Sequence, residues 1–163
     1  MIKEFFLNYR SKPNPTLGNH STYEKAKSIG VLYNADEFQN SLITNLIEIL
    51  KKDGKIVMKL GFVEKTNDPK TSEDFIFTRK DISGTGSIKK NNLSAFANQS
   101  FDFLISLNTV ENINYKYILA TCKAICKVGL ETKAYQDLLL MSLRISAKKE
   151  NAIKNLIKYL RKI

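Results

Sequence analysis

Residues 28–63 restrict the fold more than any other part of the chain. "SIGVLYN" (28–34) is a short apolar run with polar ends, the pattern of a buried strand. "ADEFQNSLITNLIEILKKDG" (35–54) places Phe38, Leu42, Ile43, Leu46, Ile49 and Leu50 on one helical face. Asn34 or Asp36 is the expected cap of that helix, and Lys51, Lys52 and Gly54 close it. "KIVMKLGFV" (55–63) reads as a second strand. Strand, helix, strand in so short a span is a βαβ unit, which brings a parallel sheet and a right-handed crossover.

The rest of the chain extends this unit. The segment from Glu64 to Lys90 is irregular, with "FIFT" as a brief strand, and "NNLSAFANQ" is a short helix. "FDFLISL" (101–107) shows no polar alternation from Phe103 to Leu107, as burial on both faces demands. "NINYKYILATCKA" reads as a helix and "ICKVGLE" as a strand. "DLLLMSLRI" follows too soon for a helical crossover and is expected to be an antiparallel edge strand. "SAKKENAIKNLIKYLRKI" is a closing helix with Ser146 as its cap and Ala152, Ile153, Leu156, Ile157 and Leu160 facing inward. At the other end, "MIKEFFLNYRSK" suits a short amphipathic helix with Ile2, Phe5, Phe6 and Tyr9 on one face, and "PNPTLGNHS" suits a linker. The expectation is an arm and linker over 1–26 and one α/β domain over 27–163. Its architecture is three-layered and doubly wound, with a mostly parallel sheet of about five strands and an antiparallel edge strand.

At 163 residues, 43% hydrophobic and 26% charged, the composition is that of a globular chain. No apolar run approaches the ~20 residues needed to span a bilayer, and the N-terminal "FFL" is too short for a signal-peptide core, so a cytoplasmic location is expected. Cys122 and Cys126 stand without a second pair, and His20 is the sole histidine, so no metal set is expected. Both cysteines read as buried thiols, and the sequence leaves any cofactor unknown.

Three segments carry a family likeness: "SIGVLYNADEF", "FTRKDISGTGSIKKNNLSAFANQSFDFLISL" and "KAICKVGL". Together they resemble an uncharacterised bacterial family of small α/β domains of unknown function, from about Lys27 to the C-terminus with the arm outside. That resemblance implies a fold and no activity. The "FDFLISL…AICKVGL" half is also similar to one Rossmann-like lobe of two-lobed glycosyltransferases, a likeness of fold alone.

In an open parallel sheet, ligands bind beyond the carboxyl ends of the strands. Asp102 opens its strand and therefore belongs to the opposite edge, as a capping or solvated carboxylate. The carboxyl edge carries Asn34 and Asp36, then Lys65, then Asn108 and Glu111, with Lys133 after the fourth strand. Such residues serve as helix caps. Together they also mark where a small anionic ligand, phosphorylated or nucleotide-like, would bind on exposed helix amides. A weaker candidate is the loop containing Gly84, Gly86, Lys89 and Lys90, which lacks both the P-loop and the G-x-G-x-x-G spacing. No nucleophile–base pair is recognisable, because His20 sits in the linker and no serine stands in a G-x-S-x-G elbow. Paired-carboxylate chemistry through Asp36, Glu64 or Glu111 stays open, so the sequence does not decide whether the protein is an enzyme.

The net charge of +10 supplies a second reading, nonspecific nucleic-acid association. Lys148, Lys149, Lys154, Lys158, Arg161 and Lys162 line the closing helix, Lys3, Arg10 and Lys12 mark the arm, and Tyr115, Tyr117 and Tyr159 offer stacking rings. Against it, lysine far outnumbers arginine, a bias that composition alone can produce, and no RRM, KH or helix-turn-helix signature is present. A third reading is a non-catalytic interaction or scaffold protein. Its arm would dock on its own domain, on a twin subunit as a homodimer, on a membrane surface or on a partner helix.

Overall fold

The computed structural model describes Lys3, Leu7 and residues 22–73, 75–145 and 148–163. The expected apolar arm face of Ile2, Phe5, Phe6 and Tyr9, the linker with His20, and the Ser146 cap lie outside the described residues.

Six strands form one sheet: β1 (Ser28–Asn34), β2 (Ile56–Phe62), β3 (Ile76–Phe77), β4 (Ser100–Leu107), β5 (Lys123–Leu130) and β6 (Met141–Leu143). Their order is β3-β2-β1-β4-β5-β6, and every neighbouring pair is parallel. Among the described residues, the helices α1 (Asn40–Lys52), α2 (Asn91–Asn98) and α3 (Ile113–Thr121) stand between strands, and α4 (Lys149–Leu160) follows β6. The chain steps outward from β1 through β3, returns to β4 and steps the other way. Right-handed crossovers then send α1 to one face and α2 and α3 to the other.

The core divides accordingly. On one face Ile43, Leu46 and Leu50 of α1 and Ile153, Leu156 and Leu160 of α4 pack over Ile29, Val31, Phe103, Ile105 and Val128. On the other, Leu93 and Phe96 of α2 and Ile118 and Leu119 of α3 pack over Leu32, Leu60, Phe62 and Leu104, joined by Leu7 from the N-terminal arm. Central strands buried on both sides have no polar alternation, which explains the unbroken apolar run of β4.

Two expectations about the sheet are corrected. It has six strands because "FIFT" contributes a full sheet member, and its last strand is parallel, not antiparallel. β6 begins level with Val128, close to the carboxyl end of β5. The connection therefore returns only part of the way down the sheet. A 3₁₀ helix over Lys133–Leu138 makes that short return, at about 2 Å of rise per residue. β3 is likewise paired only with the carboxyl end of β2, Ile76 opposite Gly61.

Boundaries also shift. α1 starts at Asn40, not at residue 35, because the peptides after β1 fold back on Asn34: the amides of Glu37 and Phe38 donate to its carbonyl and that of Asp36 to its side chain. α3 stops at Thr121, earlier than its apolar pattern, and Lys127 from β5 donates to the carbonyls of Leu119 (2.7 Å) and Ala120 (3.1 Å) in its last turn.

At the amino edge, the Asp102 carboxylate accepts hydrogen bonds from the amides of Lys27 (2.7 Å) and Ser28 (2.9 Å) and from the Ser28 hydroxyl (3.2 Å). It fastens the start of β1 to β4. Burial pushes its carboxyl up, but the bonds from Ser28 and Lys27 outweigh that and hold it below the usual carboxylate range. A carboxyl depressed in the folded state stabilises above its unfolded pKa, about 3.9, and loses that contribution as pH falls through the folded value. Asp102→Ala is expected to cost about 1–2 kcal/mol at pH 7, with the gap from wild type narrowing at pH 3. Urea denaturation at the two pH values checks this, and an equal gap at both would contradict it.

Candidate functional site

The strand order reverses between β1 and β4, so the crevice beyond their carboxyl ends is where a doubly wound sheet would receive a ligand. In this protein that crevice is filled from within. Asn34 Nδ2 donates to Asn108 Oδ1 (3.0 Å), and Asn108 Nδ2 donates to the Val110 carbonyl (2.7 Å) and Tyr135 Oη (3.1 Å). Thr132 Oγ1 donates to the Asn108 carbonyl at 2.5 Å. Across the top, the amide of Thr109 donates to Glu37 Oε2 (2.9 Å) and its hydroxyl to Glu37 Oε1. Beneath, Tyr115 and Tyr135 stack with centroids 5.7 Å apart, and Tyr115 Oη donates to the Leu32 carbonyl at 2.8 Å. Burial pushes the Tyr135 phenol up to about 12, so this hub stays neutral.

The open space lies one strand over, on the α1 face, at the carboxyl ends of β1, β2 and β3. A cavity of about 380 Å³ is lined by Tyr33, the 35–40 loop, Lys70, Glu73, Phe75 and Ile76. Its floor depends on a missing side chain. A Cβ on Gly61 would lie 2.6 Å from Ile76 Cδ1 and 2.8 Å from Tyr33 Cζ, so glycine alone lets the Tyr33 ring lie across β2. Tyr33 is 2% exposed, yet no described residue hydrogen-bonds its hydroxyl. Burial, reinforced by the nearby Glu73 carboxylate, pushes that phenol up to about 12 and keeps it a proton donor.

The rim adds charge of both signs. Gln39 caps α1 without a side-chain hydrogen bond; its carbonyl takes the Leu42 amide, which leaves the amides of Asn40 and Ser41 for another acceptor. Lys59 Nζ stands 3.9 Å from the centroid of the Phe75 ring and 3.4 Å from Asn40 Oδ1; burial lowers its pKa while Glu73 opposes that. Lys70 Nζ donates to the Ala35 carbonyl at 3.1 Å. Of the lining carboxylates, Asp36 accepts from the Glu64 amide at 2.9 Å and Glu37 holds Thr109, whereas the Glu73 carboxylate bonds no described residue. The cavity thus presents a neutral phenol, a helix start without a side-chain cap, ammonium groups and one carboxylate around an apolar wall.

The candidates read from the sequence separate. Asn34 and Asn108 meet each other inside the crevice, and Asp36 lines the cavity. Lys65 is exposed in a turn and Glu111 is exposed beyond β4; neither lines the cavity. The loop of Gly84 and Gly86 closes on itself: the Ser83 and Gly86 amides pair within the turn, the Ser87 amide donates to Ser83 Oγ, and Tyr117 Oη takes the Gly86 carbonyl. The Lys89 amide donates to the Asp81 carbonyl, and the Lys90 ammonium donates to the carbonyls of Ile76 and Glu73. Asp36 and Glu64 lie close, but the Glu64 carboxylate accepts from Asn112 Nδ2. Cys122 and Cys126 are both buried, and burial pushes the Cys122 thiol up to about 12. Among the described residues, no group of three His, Cys, Asp or Glu is placed to hold a metal ion, and no helix is long and apolar enough to cross a membrane.

Tyr33, Lys59, Lys70 and Glu73 were not singled out from the sequence. The one available signal was Gly61, a glycine inside a buried strand, which marks a close approach by another group.

The model of a family of unknown function (DUF6913) matches residues 2–163. The chain belongs to that family. No curated protein and no solved structure matches it. The matched span takes in the N-terminal arm, which the resemblance seen in the sequence had left outside, and Leu7 and Lys3 show why. Leu7 is buried in the core, and Lys3 Nζ donates to the Arg79 carbonyl at 2.6 Å.

Proposed function

We propose that this family member binds a small acidic molecule in the cavity between the 35–40 loop and β3. The observation that carries the reading is Tyr33, a nearly buried side chain whose hydroxyl meets the cavity with no hydrogen-bond partner among the described residues, beneath a rim that is a helix start without a side-chain cap. Backbone amides at such a start favour an acidic group, and Lys70 and Lys59 add to the attraction. Tyr33 and Glu73 then offer a donor and an acceptor to ligand hydroxyls. At about 380 Å³ the space sits at the small end of ligand pockets, ~300–1,000 Å³, which suits a sugar phosphate or mononucleotide.

The strand order is that of the dinucleotide-binding Rossmann arrangement, but β1 runs into "YNADEF" instead of a glycine-rich turn. The pyrophosphate cradle of that fold has no counterpart in this loop, and the reading therefore rests on the cavity. Titration of sugar phosphates, mononucleotides and small carboxylates, followed by amide shifts of residues 35–41, tests it. Tyr33→Phe keeps the ring over Gly61 while removing the hydroxyl, so it is expected to weaken the best ligand about tenfold without lowering the melting temperature. A panel that leaves residues 35–41 unmoved would end this reading.

A further inference from the structure

The excess positive charge is not spread evenly. α1 and α4 both run from the carboxyl edge to the amino edge: α4 begins where Lys149 Nζ reaches the Glu37 carbonyl and ends where Arg161 pairs with Asp53, at the end of α1. The segment before β1 reaches the same edge, where the Ile56 amide donates to the Lys27 carbonyl. Six lysines come together there, all exposed and none in an ion pair with a described residue: Lys25, Lys27, Lys51, Lys52, Lys158 and Lys162. Of the acids nearby, Asp53 is held by Arg161 and Tyr23 and Asp102 by backbone amides, which leaves Glu24 and Glu48. The opposite edge instead intersperses its lysines with Asp36, Glu37, Glu64, Glu73, Glu111 and Glu131.

We infer that the amino edge of the sheet is a docking surface for the phosphodiester backbone of a nucleic acid, carried by those six lysines. Helix dipoles account for cations in the last turns of α1 and α4 but not for Lys25 and Lys27, which belong to neither helix. An anionic membrane would also attract the charge, but docking there needs apolar side chains inserted from the side that carries the lysines. Among the described residues, the exposed apolar groups toward this edge are Ile56, Met58, Ile125 and Tyr159. Ile56 and Met58 share the pleat of Leu60 and Phe62 on the α2–α3 side, and Tyr159 rides on α4. Ile125 shares the pleat of Lys127, which reaches α3, so the three strand residues face away from Tyr159 and from the lysines of α1 and α4. Tyr159 is 44% exposed with Lys162 Nζ 5.6 Å from its ring centroid, a pairing that suits a base stacked among phosphate contacts.

Anisotropy titrations with a labelled 20-nucleotide single strand and a 20-base-pair duplex, from 50 to 300 mM salt, test the inference. Binding is expected at 50 mM, with a log–log salt slope of about −5 on duplex if all six lysines meet phosphates. K51Q/K52Q and K25Q/K27Q should each weaken binding at least fivefold and flatten the slope by about 2, while K65Q/K133Q on the opposite edge changes neither. Absence of binding at 50 mM, equal loss in K65Q/K133Q, or retention by phosphatidylserine vesicles alone would each overturn it. The cavity lies at the other edge, so ligand titrations there stand or fall separately.

Discussion

Replacing Asn108 by alanine is expected to lower folding stability by about 3 kcal/mol, or roughly 10 °C in melting temperature. Asn108 is fully buried and makes four side-chain bonds, accepting from Asn34 Nδ2 and the Val110 amide and donating to the Val110 carbonyl and Tyr135 Oη. The mutation leaves Asn34 Nδ2 without an acceptor beneath the sheet edge, and an orphaned buried donor costs about 1–3 kcal/mol before the vacated volume is counted. Val110 is half exposed, so water can take over its groups, and Tyr135 keeps the Asn112 amide as a donor at 2.7 Å. The reciprocal change is milder, because in Asn34→Ala the Asn108 oxygen still accepts from Val110. Chemical denaturation of both single variants and the double variant checks this. The double should cost about 1 kcal/mol less than the sum, since the orphan disappears. Strict additivity would show that the bond across the crevice contributes nothing.

Much of the fold was legible because its strands obey simple rules. β1, β2, β4 and β5 are apolar runs bounded by polar turns, and α1 and α4 carry apolar stripes at helical spacing. The last strand misled because sequence length says how far a connection can reach, not how far it must. The ten residues from Glu131 to Leu140 are too few to recross the whole sheet, but β6 starts opposite Val128 and needs only a short return. The start of α1 misled for a local reason. Residues 35–39 have helical composition, yet Asn34 captures the amides of Asp36, Glu37 and Phe38 first.

The candidate site was half legible. Expecting a ligand beyond the carboxyl ends pointed to the edge where the cavity opens, and Asp36 lines that cavity. Sequence cannot show that Asn34 and Asn108 consume each other, because their bond joins positions 74 residues apart. Nor does Tyr33 look special in "SIGVLYN", where a tyrosine in a buried strand reads as core. Its role depends on Gly61 of the neighbouring strand, a relation set by the register of β1 on β2, in which Tyr33 and Gly61 stand opposite one another.

Gly129→Ala is expected to be the most damaging small substitution in the sheet, costing about 3 kcal/mol or more. A Cβ on Gly129 would sit 2.2 Å from the Ser106 carbonyl oxygen and 2.9 Å from Ser106 Cβ. That oxygen is backbone in the central β4–β5 ladder, where Gly129 pairs with Ser106, so relief requires the strands themselves to part. Gly30 and Gly61 make a fair contrast, because their added carbons would meet side chains: Phe101 and Leu104 at Gly30, Tyr33 and Ile76 at Gly61. Rings and methyls at the ends of side chains can swing aside; a laddered carbonyl cannot. Denaturation midpoints should therefore fall furthest for Gly129→Ala, with Gly30→Ala and Gly61→Ala nearer wild type. Gly61→Ala carries a second signature, since shifting Tyr33 alters the cavity floor and should weaken ligand binding out of proportion to its loss of stability. If Gly129→Ala melts with the wild type, the close approach of β5 to Ser106 does not hold in solution, and the register of β5 on β4 has to be redrawn.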